Sequence, residues 1–212
     1  MILKYSLLEN GIDSLKATYI SLETLYELVE GVEHHAKDAI LSLNHANELL
    51  FKLLLKRNRE YLIFSDINSY MNAKEKMITQ QKTNIFEIAP GLQTVGFSES
   101  IRRLELLCDI EVPSKLKKSL MYLNKKRNEI MHFEIEMSEG EFKALIEKLQ
   151  VCYELSITFF SQHESDLEDL IAESRFEVTV EDYFEPDVEA MAEDAYADWL
   201  EGAYEDAGEG KW

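Results

Sequence analysis

Apolar residues recur along most of this chain at intervals of three and four, the spacing of one face of an α-helix. Leu15, Tyr19, Leu22, Leu25, Tyr26 and Val29 form the first stripe, over about 13–33. A second, over about 35–57, carries Ile40, Leu43, Ala46, Leu49, Leu50, Leu53 and Leu54, an apolar face wide enough for the centre of a bundle. Gly31 is the one breaker between them, so the two patterns read either as separate helices or as one bent helix. Over 58–97 the pattern weakens into Asn, Asp, Ser, Gln and Thr, with Pro90-Gly91 as a turn signal and a short helix expected over 69–77. Ser98 opens the next helix, which reaches about Cys108, and Pro113-Ser114 opens another with Leu116, Leu120, Leu123 and Ile130 on its apolar side. Ser138 and Glu141 have the spacing of a capping box, in which each side chain satisfies an amide at the helix start. The helix behind it carries Phe142, Leu145, Ile146, Leu149, Cys152, Tyr153 and Ile157 and runs to about His163. The expected fold class is all-α, a bundle of four to five main helices.

The charge pattern divides the chain. The formal net charge is −19 over 212 residues. Residues 164–212 hold 18 acidic groups against Arg175 and Lys211, a net of −16, and the first 163 residues carry only −3. A helical domain over 1–163 followed by an acidic C-terminal extension over 164–212 is therefore expected. Within the extension, 176–180 alternates like a short strand, and Ala192, Tyr196, Trp199, Leu200 and Tyr204 share one face of a helix over 187–204. Three readings stay open for it: a solubilising tail, a mimic of nucleic-acid charge that covers a basic surface, and a docking segment for another protein.

Several chemistries have no foothold. The first residues lack the pattern of a signal peptide, and no apolar run approaches the roughly 20 residues that span a bilayer. Cys108 and Cys152 lie far apart on apolar helical faces and read as reduced thiols, which places the chain in the cytoplasm with no membrane partner. Glu33-His34-His35 invites a metal reading, but adjacent histidines on a helix point about 100° apart. His45 and His163 read as structural. No Gly-rich phosphate loop, Ser/His/Asp order or Cys-x-x-Cys pair occurs, so neither a cofactor nor a metal is expected.

The helix from Ser114 is different. It gathers Lys115, Lys117, Lys118, Lys125, Lys126 and Arg127, with Glu129 its only acidic residue before His132. Arginine and histidine together suit RNA transesterification without a metal cluster. An imidazole moves a proton near neutral pH, activating a 2'-hydroxyl or protonating the leaving 5'-oxygen. A guanidinium holds the phosphate through two hydrogen bonds and balances charge growing on its oxygens. Arg127 and His132 are the candidate pair, Asn128 the group that orients, and Lys118, Lys125 and Lys126 the contacts to the RNA backbone. Five residues along a helix correspond to about 140° of rotation, so one straight helix does not aim Arg127 and His132 at one phosphate. Either the helix ends or distorts near His132, or a second copy completes the site. The competing reading is a solvated basic face closed by a histidine at a helix C-terminus, where a cation is favoured.

Two stretches resemble the HEPN superfamily. The run from Leu43 to Leu55, with Ala46 before Glu48 and Lys52 one turn later, looks like that family's early helix. Lys125-Lys126-Arg127-Asn128-Glu129-Ile130-Met131-His132-Phe133 looks like its Arg-x4-His signature, in which a polar residue commonly follows the arginine. The resemblance covers about 13–163. It implies a helical domain that forms homodimers, with two motifs across one cleft, and a metal-independent endoribonuclease acting in toxin–antitoxin pairs, phage defence or RNA processing. RNA and an antitoxin or regulatory protein are the partners it implies. Glu134 stands where one subgroup has a modified tyrosine, so that form of regulation does not carry over. Glu48 is expected either to pair with Lys52 or to reach Arg127 or His132 in the cleft, with Asn44 on the same face. Some members keep the fold without cleaving, and the alternative function is a non-catalytic interaction module whose acidic tail binds a partner.

Overall fold

The structure, a computed structural model, describes residues 5–177 and Tyr196. Its regular elements are helical: α1 (Leu7–Glu27), α2 (Val32–Asn58), a 3₁₀ turn (Glu60–Ile63), α3 (Ile67–Thr79), α4 (Ile85–Ile88), α5 (Phe97–Leu107), α6 (Ser114–His132), α7 (Glu139–Phe160) and α8 (Leu167–Glu173). Among the described residues there is no strand, only an isolated antiparallel bridge between Phe64 and Thr94. No helix among them is long and apolar enough to cross a membrane.

α2 is the centre. Ala39, Leu43, Ala46, Asn47, Phe51 and Leu55 are all fully buried on it, and α1, α5, α6 and α7 pack around it. The Phe51 ring meets Phe97 of α5 at 5.8 Å and Phe159 and Phe160 of α7 at 5.8 and 5.1 Å between centroids. Such tilted and edge-on aromatic contacts add to the burial of apolar area. α1 and α2 are two helices. Leu28 leaves α1 in an extended conformation, and Gly31 takes a left-handed φ of +74° that turns the chain into α2. At Gly11 a Cβ would lie 2.9 Å from Leu50 Cδ2, so the bare glycine lets α1 approach α2 closely.

α1 begins earlier than its apolar stripe. Ser6 and Glu9 form a capping box, with Ser6 N–H donating to the Glu9 carboxylate at 2.7 Å and Glu9 N–H to Ser6 Oγ at 3.1 Å. The box expected at Ser138 and Glu141 opens α7 as read. α5 starts at Phe97, one residue before Ser98, on the extended Gly96. The irregular stretch before it is held by Ser65 N–H to Gln93 O at 3.0 Å and Val95 N–H to Ile63 O at 2.9 Å. Arg103 of α5 donates to the carbonyls of Leu62 and Phe64 at 2.8 and 2.7 Å.

The helical unit continues to Arg175, beyond the 163/164 division drawn from charge. α8 packs on α1 and α7, with Leu167 and Ile171 in the core. Arg175 then clasps Asp13 of α1 through two hydrogen bonds of 2.8 and 2.9 Å, which hold the Asp13 carboxyl below its ordinary range. The strand expected over 176–180 and the helix over 187–204 lie outside the described residues, apart from Phe176 and Glu177, which are not in a strand, and Tyr196, which is helical.

Both cysteines are free thiols. Burial pushes the Cys152 thiol up to about 12 and also raises that of the half-buried Cys108, with the charge of Asp109 as a second cause. Since the thiolate is the reactive form, Cys152 should react with a chromogenic disulfide at pH 8 only after the protein is unfolded in urea. Thiol titration with and without denaturant checks this. A chain ended at His163 should unfold at lower urea than one ended at Arg175. Leu167→Ala in the full chain should cost about 2–5 kcal/mol, read from urea unfolding.

Candidate active site

Three buried leucines, Leu116, Leu120 and Leu123, seat α6 against the bundle. Arg127 follows Leu123 at about 40° around the helix, so its stem starts on the bundle side. The residue as a whole is half-buried, and its Nη1 donates to Asn128 Oδ1 at 3.1 Å. Asn128 is exposed, and its side chain meets the neighbouring Arg127 rather than His132, the residue one turn on that it was expected to orient.

His132 is exposed and is the last residue of α6. Phe133 is extended, and its N–H closes the last turn on Glu129 O at 2.9 Å. The helix therefore stops near His132, one of the two resolutions foreseen. It stops after the histidine, however, and the rotation of about 140° between Arg127 and His132 remains. Among the described residues the His132 side chain has no hydrogen bond or ion pair. Among the described residues no hydrogen bond joins the two side chains.

The lysines are not equivalent. Lys126 Nζ lies 2.7 Å from the Glu129 carboxylate and Lys125 Nζ 3.8 Å from it. The hydrogen bond to Glu129 raises the Lys126 pKa and lowers that of Glu129. Lys126 is thus engaged inside the protein, and Lys117 is likewise held by Glu105 at 2.7 Å. Lys118 is exposed with no ion pair among the described residues.

The supporting residues divide as well. Glu48 does not reach the motif, because Lys52 takes its carboxylate at 2.7 Å. Lys52 is itself nearly buried and also donates to Thr94 Oγ1 at 2.9 Å, so the pair ties α2 to the loop before α5. Asn44 is buried and donates to Asn124 Oδ1 at 3.4 Å, a long contact to α6 one turn before Asn128. Asn124 was not singled out from sequence, although it stands four residues from Asn128. Tyr122 was missed too. Lys148 of α7 places its Nζ 4.4 Å from the Tyr122 ring centroid, a contact between helices that no local spacing announces.

On the bundle side of the last turn, Ile130 lines an apolar groove of about 620 Å³ with Val32, Ala36, Ile40, Met137 and Phe142. Met131 and Phe133, flanking His132, are 48% and 78% exposed, so apolar surface borders the motif on both sides. His34 and His35 are ring neighbours at 5.9 Å, and no group of three or more His, Cys, Asp or Glu among the described residues could hold a metal ion. Comparison with family models, with curated proteins and with solved structures finds no match.

Proposed function

We propose that the chain is a HEPN-like endoribonuclease whose active site is completed by a second copy, each site combining His132 of one protomer with Arg127 of the other. The observation that carries this reading is the pairing of an exposed, unengaged His132 with an accessible Arg127 about 140° away on the same helix. Neither is held by a carboxylate among the described residues, and a two-fold axis across the end of α6 would bring one of each to a common phosphate. A two-fold interface presents the same patch from both copies. Exposed Met131 and Phe133 and the groove beside Ile130 supply apolar area for such an interface.

In the reaction the 2'-oxygen attacks the neighbouring phosphorus while its proton passes to an imidazole. The bond to the 5'-oxygen breaks, and that oxygen takes up a proton. A 2',3'-cyclic phosphate and a 5'-hydroxyl result. Arg127 meets the charge that grows on the phosphate oxygens, and Asn128, bonded to the guanidinium, fixes its direction. Cytoplasmic action, an antitoxin or regulatory partner and a place in phage defence belong to the same reading.

RNA incubated with the protein in EDTA should be cut to those ends. Arg127→Ala should lower the rate about 10²–10³-fold, and His132→Ala about 10²–10⁴-fold. Cleavage that persists in both variants would remove the catalytic assignment. A mixture of the two variants tests the shared site. Random exchange leaves one intact composite site in each mixed dimer, so about a quarter of wild-type activity should return. A mixture as inactive as its components would mean that both groups must come from one chain. A chain that binds partners but never cuts RNA would point to the interaction module.

A further inference from the structure

Lys118, Tyr122, Lys125, Glu129 and His132 are spaced four, three, four and three apart. That spacing keeps them within about 80° of one another on α6, along about 21 Å of helix. Arg127 lies on the other side. The Lys118–Tyr122 end of the line meets α7, where Lys148 Nζ stands 4.4 Å from the Tyr122 centroid. Lys118, Ser119, Tyr122, Glu147, Lys148 and Val151 line a groove of about 390 Å³ between the two helices. Lys118 and Lys148 are exposed and carry no ion pair among the described residues.

We propose that this line is a track for single-stranded RNA that ends at His132. One base stacks on Tyr122 and the phosphates beside it meet Lys118, Lys148 and Lys125. A cation over an aromatic ring marks an electron-rich face open to the solvent side. A base can take that face as Lys148 turns to a phosphate, which exchanges the cation–ring contact for a stack and an ion pair. Aromatic rings interleaved with cations in a groove are the means by which single strands are held without regard to sequence. Duplex RNA is recognised instead by shape and by 2'-hydroxyls across a wide minor groove, which a ring set between two helices does not offer. Glu129 lies on the line, but its carboxylate is occupied by Lys126 at 2.7 Å, so it does not stand as a bare charge against the phosphates. Glu147 sits at the α7 lip and sets that edge of the track. The track rests on the ribonuclease reading for the identity of its ligand and for the role of its end.

The full chain carrying His132→Ala, which holds RNA without cutting it, is titrated with a short fluorescent single-stranded RNA and with the same RNA as a duplex. The single strand should bind more tightly. Adding Tyr122→Leu should weaken binding about 5- to 100-fold, and Tyr122→Phe should restore it. Lys118→Ala and Lys148→Ala should each reduce the slope of log affinity against log salt by about 0.7. Lys118 is exposed, so its variant stays folded whatever Tyr122→Leu does to stability, and thermal melts monitor both. Binding unaltered by Tyr122→Leu and Lys118→Ala, a preference for duplex, or no binding by the parent would each overturn the track. Wild-type cleavage at a rate indifferent to Tyr122 and Lys118 would remove the track and leave the catalytic reading standing. Track-dependent binding by a wild type that never cuts would do the reverse.

Discussion

The arrangement depends on the burial of α2. A helix with fully buried residues at Ala39, Leu43, Ala46, Asn47, Phe51 and Leu55 needs neighbours on most of its circumference. α1, α5, α6 and α7 supply them, and Phe51 at the centre touches aromatic rings from two of them. Apolar contact alone would allow those helices to slide. The buried asparagines on α2 restrict this, because an unsatisfied buried amide costs about 1–3 kcal/mol. Asn47 accepts from Ser156 of α7 at 3.0 Å and donates to Leu43 O at 2.9 Å. Asn44 donates to Asn124 of α6 at 3.4 Å. α6 and α7 are thereby registered on α2, and hence on each other. That relation shapes the groove between them and leaves the last turn of α6 at the edge of the bundle.

The long helices were legible in sequence because their apolar residues keep a three-and-four period over many turns, and because the box at Ser138 and Glu141 marks a start. The differences have identifiable causes. The start of α1 was placed too late because Asn10, Gly11 and Asp13 interrupt the stripe, although Ser6 and Glu9 form an equally good box. Gly11 reads as a breaker, but it belongs to a helix at a point where a side chain would meet Leu50. α8 was grouped with the acidic extension because net charge averages over residues. Burial does not average: Leu167 and Ile171 suffice to hold a short helix on the body while Glu168, Asp169 and Glu173 face outward. The elements between α2 and α5 are short and set by backbone contacts such as Val95 to Ile63, which leave little periodic trace.

Of the candidate site, spacing revealed which residues share a face of one helix and little more. It placed the Arg127 and His132 pair at the end of α6 and gave the rotation that separates them. It did not decide which partner takes a carboxylate, so Glu48 stayed divided between Lys52 and the cleft until the distance of 2.7 Å settled it. Nor did it separate engaged lysines from free ones. Lys126 is withdrawn by Glu129 and Lys117 by Glu105, while Lys118 is left exposed without an ion pair among the described residues. The Tyr122–Lys148 contact joins two helices, and local periodicity cannot carry a contact of that kind.

On the proposed reading, the rotation that leaves one chain without a finished site also divides its tasks. In the proposed reading the face of α6 that bears Lys118, Tyr122 and Lys125 leads a strand to His132, and Arg127 points away from that path. A single copy would then hold RNA and offer a proton carrier, yet present no guanidinium to the phosphate at the end of the track. On that reading affinity for RNA would be set by each chain alone, and stabilisation of the transition state would be supplied only on assembly. Binding equal in ground state and transition state does not accelerate the chemical step. In the proposed dimer the group that distinguishes the transition state would therefore be the one that crosses between copies, and that group is Arg127, bonded to Asn128 near the end of α6.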